Sequence, residues 1–235
     1  MGLLLKNALV VLGGYNLSGD MNSLALSYKA AALDDTRFGD NTNQKIGGLK
    51  DIAISCKGFW DTGTDAELFN DVGQGDIMTM ASLPAEGTVA FFLKVLDIEY
   101  QIGTTVGDNM PFSLTADAQS NLIRGLLGAN KSGITASGNG TGFNLGAVGA
   151  GQSLWASLHV LSVAGTTPSM TMAIQGDSSD AFAEPTTVLT FDAATGIGAQ
   201  FMSVEGALAE TWYQPIWTIT GTDPVFAFIL AMGVQ

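Results

Sequence analysis

Apolar and polar residues alternate along much of this chain. Leu24, Leu26 and Tyr28 are separated by Ala25 and Ser27, and Ile52, Ile54 and Cys56 by Ala53 and Ser55 with Lys57 following. A two-residue period sends successive side chains to opposite faces, so each stretch predicts a half-buried strand. The same reasoning predicts strands in the N-terminal apolar run up to Gly14, over residues 89–95 and 98–102, at Met110, Phe112 and Leu114, and over residues 187–191. One short helix is predicted over residues 65–72. Thr64 or Asp65 would cap it, with Leu68, Phe69 and Val72 facing inward.

Between the first two alternating stretches lies a polar span, residues 30–49, rich in Asp, Asn and Gly. It is long for a connection inside a compact domain, which predicts a functional loop or an interaction arm. Further on, a glycine-rich stretch covers residues 133–151. Beyond it the chain nearly repeats itself: residues 158–174 and 215–229 each read as strand, Gly-Thr-x-Pro, strand. Gly165 and Gly221 would supply permissive backbone and Pro168 and Pro224 would fix φ, predicting two antiparallel hairpins. With a strand between them, they point to a β-sandwich of jelly-roll type.

Composition strengthens the β reading. The 235 residues are 46% apolar and only 13% charged, with 30 glycines, so few residues suit exposed helices. The net charge of -13 opposes adhesion to a nucleic-acid backbone or an anionic membrane. Residues 1–94 carry seven of the nine basic residues and eleven acids, whereas the remainder carries Arg124, Lys131 and eleven acids. That shift predicts two modules, residues 1–105 and 106–235. The single cysteine, Cys56, excludes an intrachain disulfide and a cysteine-based zinc site. No basic stretch precedes the N-terminal apolar run, so no secretory leader is expected. The longest later apolar run, residues 225–234, is too short to cross a bilayer as a helix, which takes about 20 residues.

No convincing catalytic, cofactor or metal set emerges. The Gly138-Asn-Gly-Thr-Gly-Phe stretch lacks the preceding strand and following helix of a nucleotide-binding loop. His159 is the sole histidine and sits within an apparent strand, which fits a packed imidazole better than a general base. Asp177 and Asp180 share a turn but lack EF-hand spacing. The aromatics Trp155, Trp212, Tyr213 and Trp217 could line a sugar-binding face, or fill a core or subunit interface.

One region resembles a known family. Asn16-Leu-Ser-Gly-Asp-Met-Asn-Ser-Leu-Ala-Leu, Asp35-Thr-Arg-Phe-Gly-Asp and Gly48-Leu-Lys-Asp-Ile-Ala-Ile-Ser-Cys-Lys-Gly-Phe-Trp-Asp, in that order, resemble the N-terminal region of major tail (tail tube) proteins of long-tailed bacteriophages. The match covers about residues 10–75. It implies a mainly β fold: a tail-tube-like β-sandwich or partial barrel with one short helix, followed by a jelly-roll-like β-sandwich projecting outward. It implies a virion structural protein and no enzyme, with no cofactor, made in the host bacterial cytoplasm. Six copies would close into a ring, and rings would stack into a tail tube through which double-stranded DNA passes without specific binding. Tape-measure and terminator proteins would be further partners.

On the same resemblance, the loop over residues 30–49 would reach a neighbouring ring. Asp35, Thr36, Arg37, Phe38, Gly39, Asp40, Gly48, Leu49, Lys50 and Asp51 would form the assembly interface, with Phe38 as its anchor. Two other classes fit the composition: a capsid decoration (cement) protein, and a carbohydrate-binding module or glycosidase.

Overall fold

The computed structural model describes residues 7–235. The first residues of the N-terminal strand prediction, 1–6, lie outside that range. In chain order the elements are β1 (Leu9–Leu12), β2 (Tyr15–Asn16), a 3-10 turn (Leu17–Gly19), β3 (Met21–Asp34), β4 (Lys45–Phe59), α1 (Thr62–Asp71), β5 (Gly75–Ala81), β6 (Val89–Ile102), β7 (Pro111–Ala118) and β8 (Ile123–Ile134). There follow β9 (Gly138–Asn139), β10 (Phe143–Asn144), β11 (Ser153–Asp177), β12 (Thr186–Thr190), β13 (Gly198–Glu205) and β14 (Trp212–Val234). The fold is mainly β, as the alternation predicts, and its sheet does not close into a barrel.

The chain forms two units, each built from separate segments. Of the described residues, one unit comprises 7–19, 76–94 and 120–235, and the other 20–75 and 95–119. The division expected between residues 105 and 106 does not coincide with this grouping. The N-terminal strand and residues 76–94 belong with the C-terminal half because β1 pairs β5 and β6 pairs β8, contacts that no local composition shift records.

In the larger unit, β14 lies between β11 and β8. Its apolar run is covered on both faces: Phe226, Phe228, Leu230 and Met232 enter one buried cluster, and Ile229 and Ala231 enter another. A strand covered on both faces carries a continuous apolar run, which explains residues 225–234 without a membrane.

The two Gly-Thr-x-Pro segments do not turn hairpins. β11 and β14 are single long strands that pair from Leu154 with Val234 to Asp177 with Trp212, and the two segments face each other at Thr166 and Thr222. Register steps on both sides of Thr166 break the ladder there. Residues from both halves of each strand, Leu158 and Met172 among them, join one core, so the paired strands fold over that break into two layers. Each repeat bends its strand, and its hydrogen-bond partner is the other repeat.

In the smaller unit, β4 lies between β3 and β7, and β7 also pairs β6. Ile52, Ile54, Cys56, Phe112, Leu114 and Ala116 are buried. Helix α1 starts one turn earlier than predicted, because the cap is Asp61, whose carboxylate accepts from the Gly63 amide at 2.8 Å. Thr64 is instead buried and donates its hydroxyl to Asp20. Leu68 is buried as expected, but Phe69 and Val72 face solvent. Starting at Thr62 leaves a single inward row, and the helix end carries Phe69 outside it. Tyr100 on β6 ties the helix down by donating its hydroxyl to Asp65 at 2.9 Å.

Candidate assembly arm

Residues 30–49, expected to be a loop, are mostly a hairpin. β3 runs to Asp34 and β4 begins at Lys45, so only residues 35–44 connect them. Ala30, Ala31 and Ala32 concealed the strand, since alanines carry little apolar alternation. Leu24, Leu26 and Tyr28 on β3 stand opposite Cys56, Ile54 and Ile52, continuing the face that is buried at the base. β7 pairs only residues 53–59 of β4. Beyond that point, among the described residues, the ribbon has two strands and both outer edges are open.

The ribbon changes character towards its tip. Ala30 pairs Lys50 and Ala32 pairs Gly47, so β4 carries one extra residue across that step. Such a bulge increases twist and re-aims the following side chains. Lys50 Nζ stands 5.5 Å from the Tyr28 ring centroid, and Lys45 and Asp34 form an ion pair at 3.3 Å. Leu33 pairs Ile46, both half-exposed, and Leu49 is 89% exposed. A Cβ on Gly48 would stand 3.0 Å from the Ala31 Cβ, so glycine leaves that stretch closely packed.

The connecting turn is internally braced. The Thr36 hydroxyl donates to Asp34 at 2.6 Å and accepts from the Gln44 amide at 3.0 Å, and the Thr36 amide donates to the same carboxylate at 2.9 Å. These bonds and Lys45 hold the Asp34 carboxyl below its usual range. The Arg37 amide donates to the Asp40 carboxylate at 2.8 Å, and the Asp40 amide donates to the Arg37 carbonyl at 3.1 Å. Phe38 and Gly39 occupy the corners of this four-residue turn. Gly39 has φ +103, the left-handed geometry the third position of a type II turn requires. Phe38, at the second position, is fully exposed. Asp35 lies 3.4 Å from the Arg37 guanidinium, and Asp51 pairs Lys29 across the strands. The residues singled out from sequence therefore fall on one arm, Asp35 to Asp40 in its turn and Gly48 to Asp51 on its second strand. Tyr28 belongs to the arm although it lies outside residues 30–49, and Leu33 and Ile46, inside that span, are exposed members not singled out from sequence.

The four aromatics do not form one face. Tyr213 is buried, donating its hydroxyl to the Glu210 carbonyl at 2.7 Å, and burial pushes its pKa up to about 12. Trp217 is buried against Phe228 and donates Nε1–H to the Ala136 carbonyl at 3.0 Å. Trp155 is half-buried beside Phe201, with ring centroids 5.3 Å apart. Trp212 alone lines an open groove.

No family model and no curated protein matches the sequence. The fold is similar to a chain in the virion of a native gene transfer agent particle, at 17% identity over 52% of this chain and 97% of that one, with a TM-score of 0.44. A chain in the tail of an empty gene transfer agent particle is similar at 13% identity over 48% of this chain and 92% of that one, TM-score 0.40. The Dit hub protein of phage SPP1 is similar at 11% identity over 98% of this chain and all of the other, TM-score 0.37.

The remaining reactive groups are packed away. His159 is fully buried, its Nδ1–H donating to the Gly13 carbonyl at 2.7 Å and its Nε2 accepting from the Thr79 hydroxyl at 2.7 Å. The Ser157 hydroxyl lies 2.8 Å from the same Thr79 oxygen. Desolvation lowers the His159 pKa to about 4, so the ring is neutral at pH 7. Burial, reinforced by the Asp97 charge, pushes the Cys56 thiol up to about 12. No cluster of three or more potential metal ligands occurs among the described residues.

Proposed function

We propose that this chain is a structural subunit of a phage tail, a tail-tube protein that forms stacked hexameric rings around a conduit for DNA. The observation supporting this reading most directly is the arm of β3 and β4. A two-stranded ribbon is marginal by itself in water, and unpaired edges beside exposed apolar side chains form a template for another chain. Phe38, Leu49, Leu33 and Ile46 lie on the part of the arm that β7 does not cover. Docking on a neighbouring copy would remove them from water and complete the sheet. The braced turn presents Phe38 in a fixed position, which lowers the ordering cost of docking.

The resemblance over residues 10–75 supports this kind of assembly. Residues 1–94, with seven basic residues against eleven acids, are themselves acidic, and DNA phosphates repelled by a wall of that sign do not adhere to it. Residues 120–235 would face outward on the tube, tape-measure and terminator proteins would be further partners, and the protein would reside in the virion after synthesis in the bacterial cytoplasm. Its role is shape, without catalysis.

Negative-stain electron microscopy with light scattering on the concentrated protein tests this. Hollow six-fold rings or tubes are expected, and deletion of residues 30–49 should leave rings while abolishing stacking. Stable monomers or trimers at every concentration and salt would instead favour a head decoration protein.

A further inference from the structure

The groove beside Trp212 combines features that neither the arm nor a tube wall requires. It has a volume near 780 Å³, within the range of small-molecule sites, and it lies wholly within the larger unit. Asn139, Gln175, Asp180, Phe182, Trp212 and Gln214 carry its chemistry. Three of these are amides joined in a chain: Asn139 Nδ2 donates to Gln214 Oε1 at 3.5 Å, and Gln214 Nε2 donates to Gln175 Oε1 at 3.3 Å. The chain fixes which atom each amide turns outward, an acceptor at the Asn139 end and a donor at the Gln175 end.

Phe182 adds an independent sign. Its φ is +45, a conformation that bulky side chains rarely adopt and that costs about 1–2 kcal/mol. Its ring occupies the space over Gly142, where a Cβ would stand 2.3 Å from Phe182 Cε2. A strained aromatic seated over a glycine at a groove wall is backbone strain of the kind that accumulates at binding sites.

The electrostatics select the ligand class. Among the described residues, no lysine or arginine lines the groove and Asp180 is its one carboxylate, on a chain of net charge -13. An anion finds no counter-charge there, and a cation finds only one exposed acid. Sugar hydroxyls both donate and accept, so adjacent hydroxyls match paired amide oxygens and NH₂ groups, and the C–H face of a pyranose suits an indole. We propose that this groove binds a neutral oligosaccharide, held by the amide chain and stacked on Trp212. The site does not depend on tube assembly, and either reading can fail alone.

The test titrates the full chain with chitotetraose, maltohexaose, cellohexaose and mannohexaose, each to about 10 mM, a range that captures millimolar dissociation constants. Tryptophan emission and calorimetric heat report binding. At least one sugar should bind saturably. Trp212→Ala and Gln175→Ala should each weaken that binding roughly tenfold, a loss near 1.4 kcal/mol, whereas Trp155→Phe should not change it. Gln175 is a half-exposed side chain, so its variant keeps the test interpretable should Trp212→Ala disturb the strand. Absence of binding by all four sugars, or binding unchanged in both groove variants, overturns the proposal.

Discussion

Gly165 packs directly against Pro224. A Cβ at Gly165 would stand 2.9 Å from the Pro224 Cα and 2.6 Å from the Asp223 carbonyl oxygen. Gly221 meets Pro168 in the same way, with a built Cβ 2.9 Å from the Pro168 Cα. The two sites also share backbone: φ is +115 at Gly165 and +120 at Gly221, and +48 at Thr167 and +49 at Asp223. The near-repeat in the sequence is thus one reciprocal joint, in which each copy's glycine makes room for the other's proline.

Gly165→Ala should therefore destabilise the larger unit by about 2–3 kcal/mol, since it adds a left-handed φ penalty to a clash with backbone that cannot move aside. Gly221→Ala should do the same. Because the two glycines face one joint, the double variant should lose less than the sum, and denaturant titration of the three variants measures the coupling.

Acidification should weaken the protein through His159. Its folded pKa is about 4 against an ordinary 6.5, so the unfolded chain takes up a proton between those values and the folded chain does not. This stabilisation is complete above pH 6.5, is lost as the pH falls from 6.5 to 4, and then levels off. The loss approaches about 3 kcal/mol at 1.36 kcal/mol per unit. Thermal midpoints across this range should flatten in His159→Gln. An equally steep fall in that variant would assign the effect to other groups.

Cys56 should resist thiol reagents at pH 8 in the native protein. The thiol is buried and its pKa is near 12, so almost no thiolate forms and reagents cannot reach it. Labelling should follow unfolding, and its rate in dilute denaturant reports opening of the smaller unit. Rapid stoichiometric labelling without denaturant would contradict the packing of β4.

Substitutions on the arm should separate folding from assembly. Phe38→Ala and Leu49→Ser remove exposed side chains, so each should change stability by less than about 0.5 kcal/mol. Both should raise the concentration at which large species form in light scattering. Gly39→Ala should act on the same property by unsettling the turn, at about 1–2 kcal/mol of local strain. Assembly unchanged in all three would remove the arm from the interface.

The strands were legible because alternation is written residue by residue. Leu24 to Tyr28, Ile52 to Cys56 and the run at residues 225–234 announce their burial locally. The helix was legible through Leu68, but its cap was not, since Asp61, Thr64 and Asp65 are all competent caps and the choice fell to Thr64's contact with Asp20. The arm was half legible: its acidic, glycine-rich turn marked an interaction element, while three alanines hid the strand leading to it.

What the sequence determined was where the chain could extend, turn and bury, because those preferences depend on neighbours within a few residues. Which strand pairs with which was decided only in three dimensions. A Gly-Thr-x-Pro segment satisfies its backbone equally well against its own flanks or against a distant copy. Phe228 and Leu158 share one core with Met172, so pairing with the distant copy buries that face of β14.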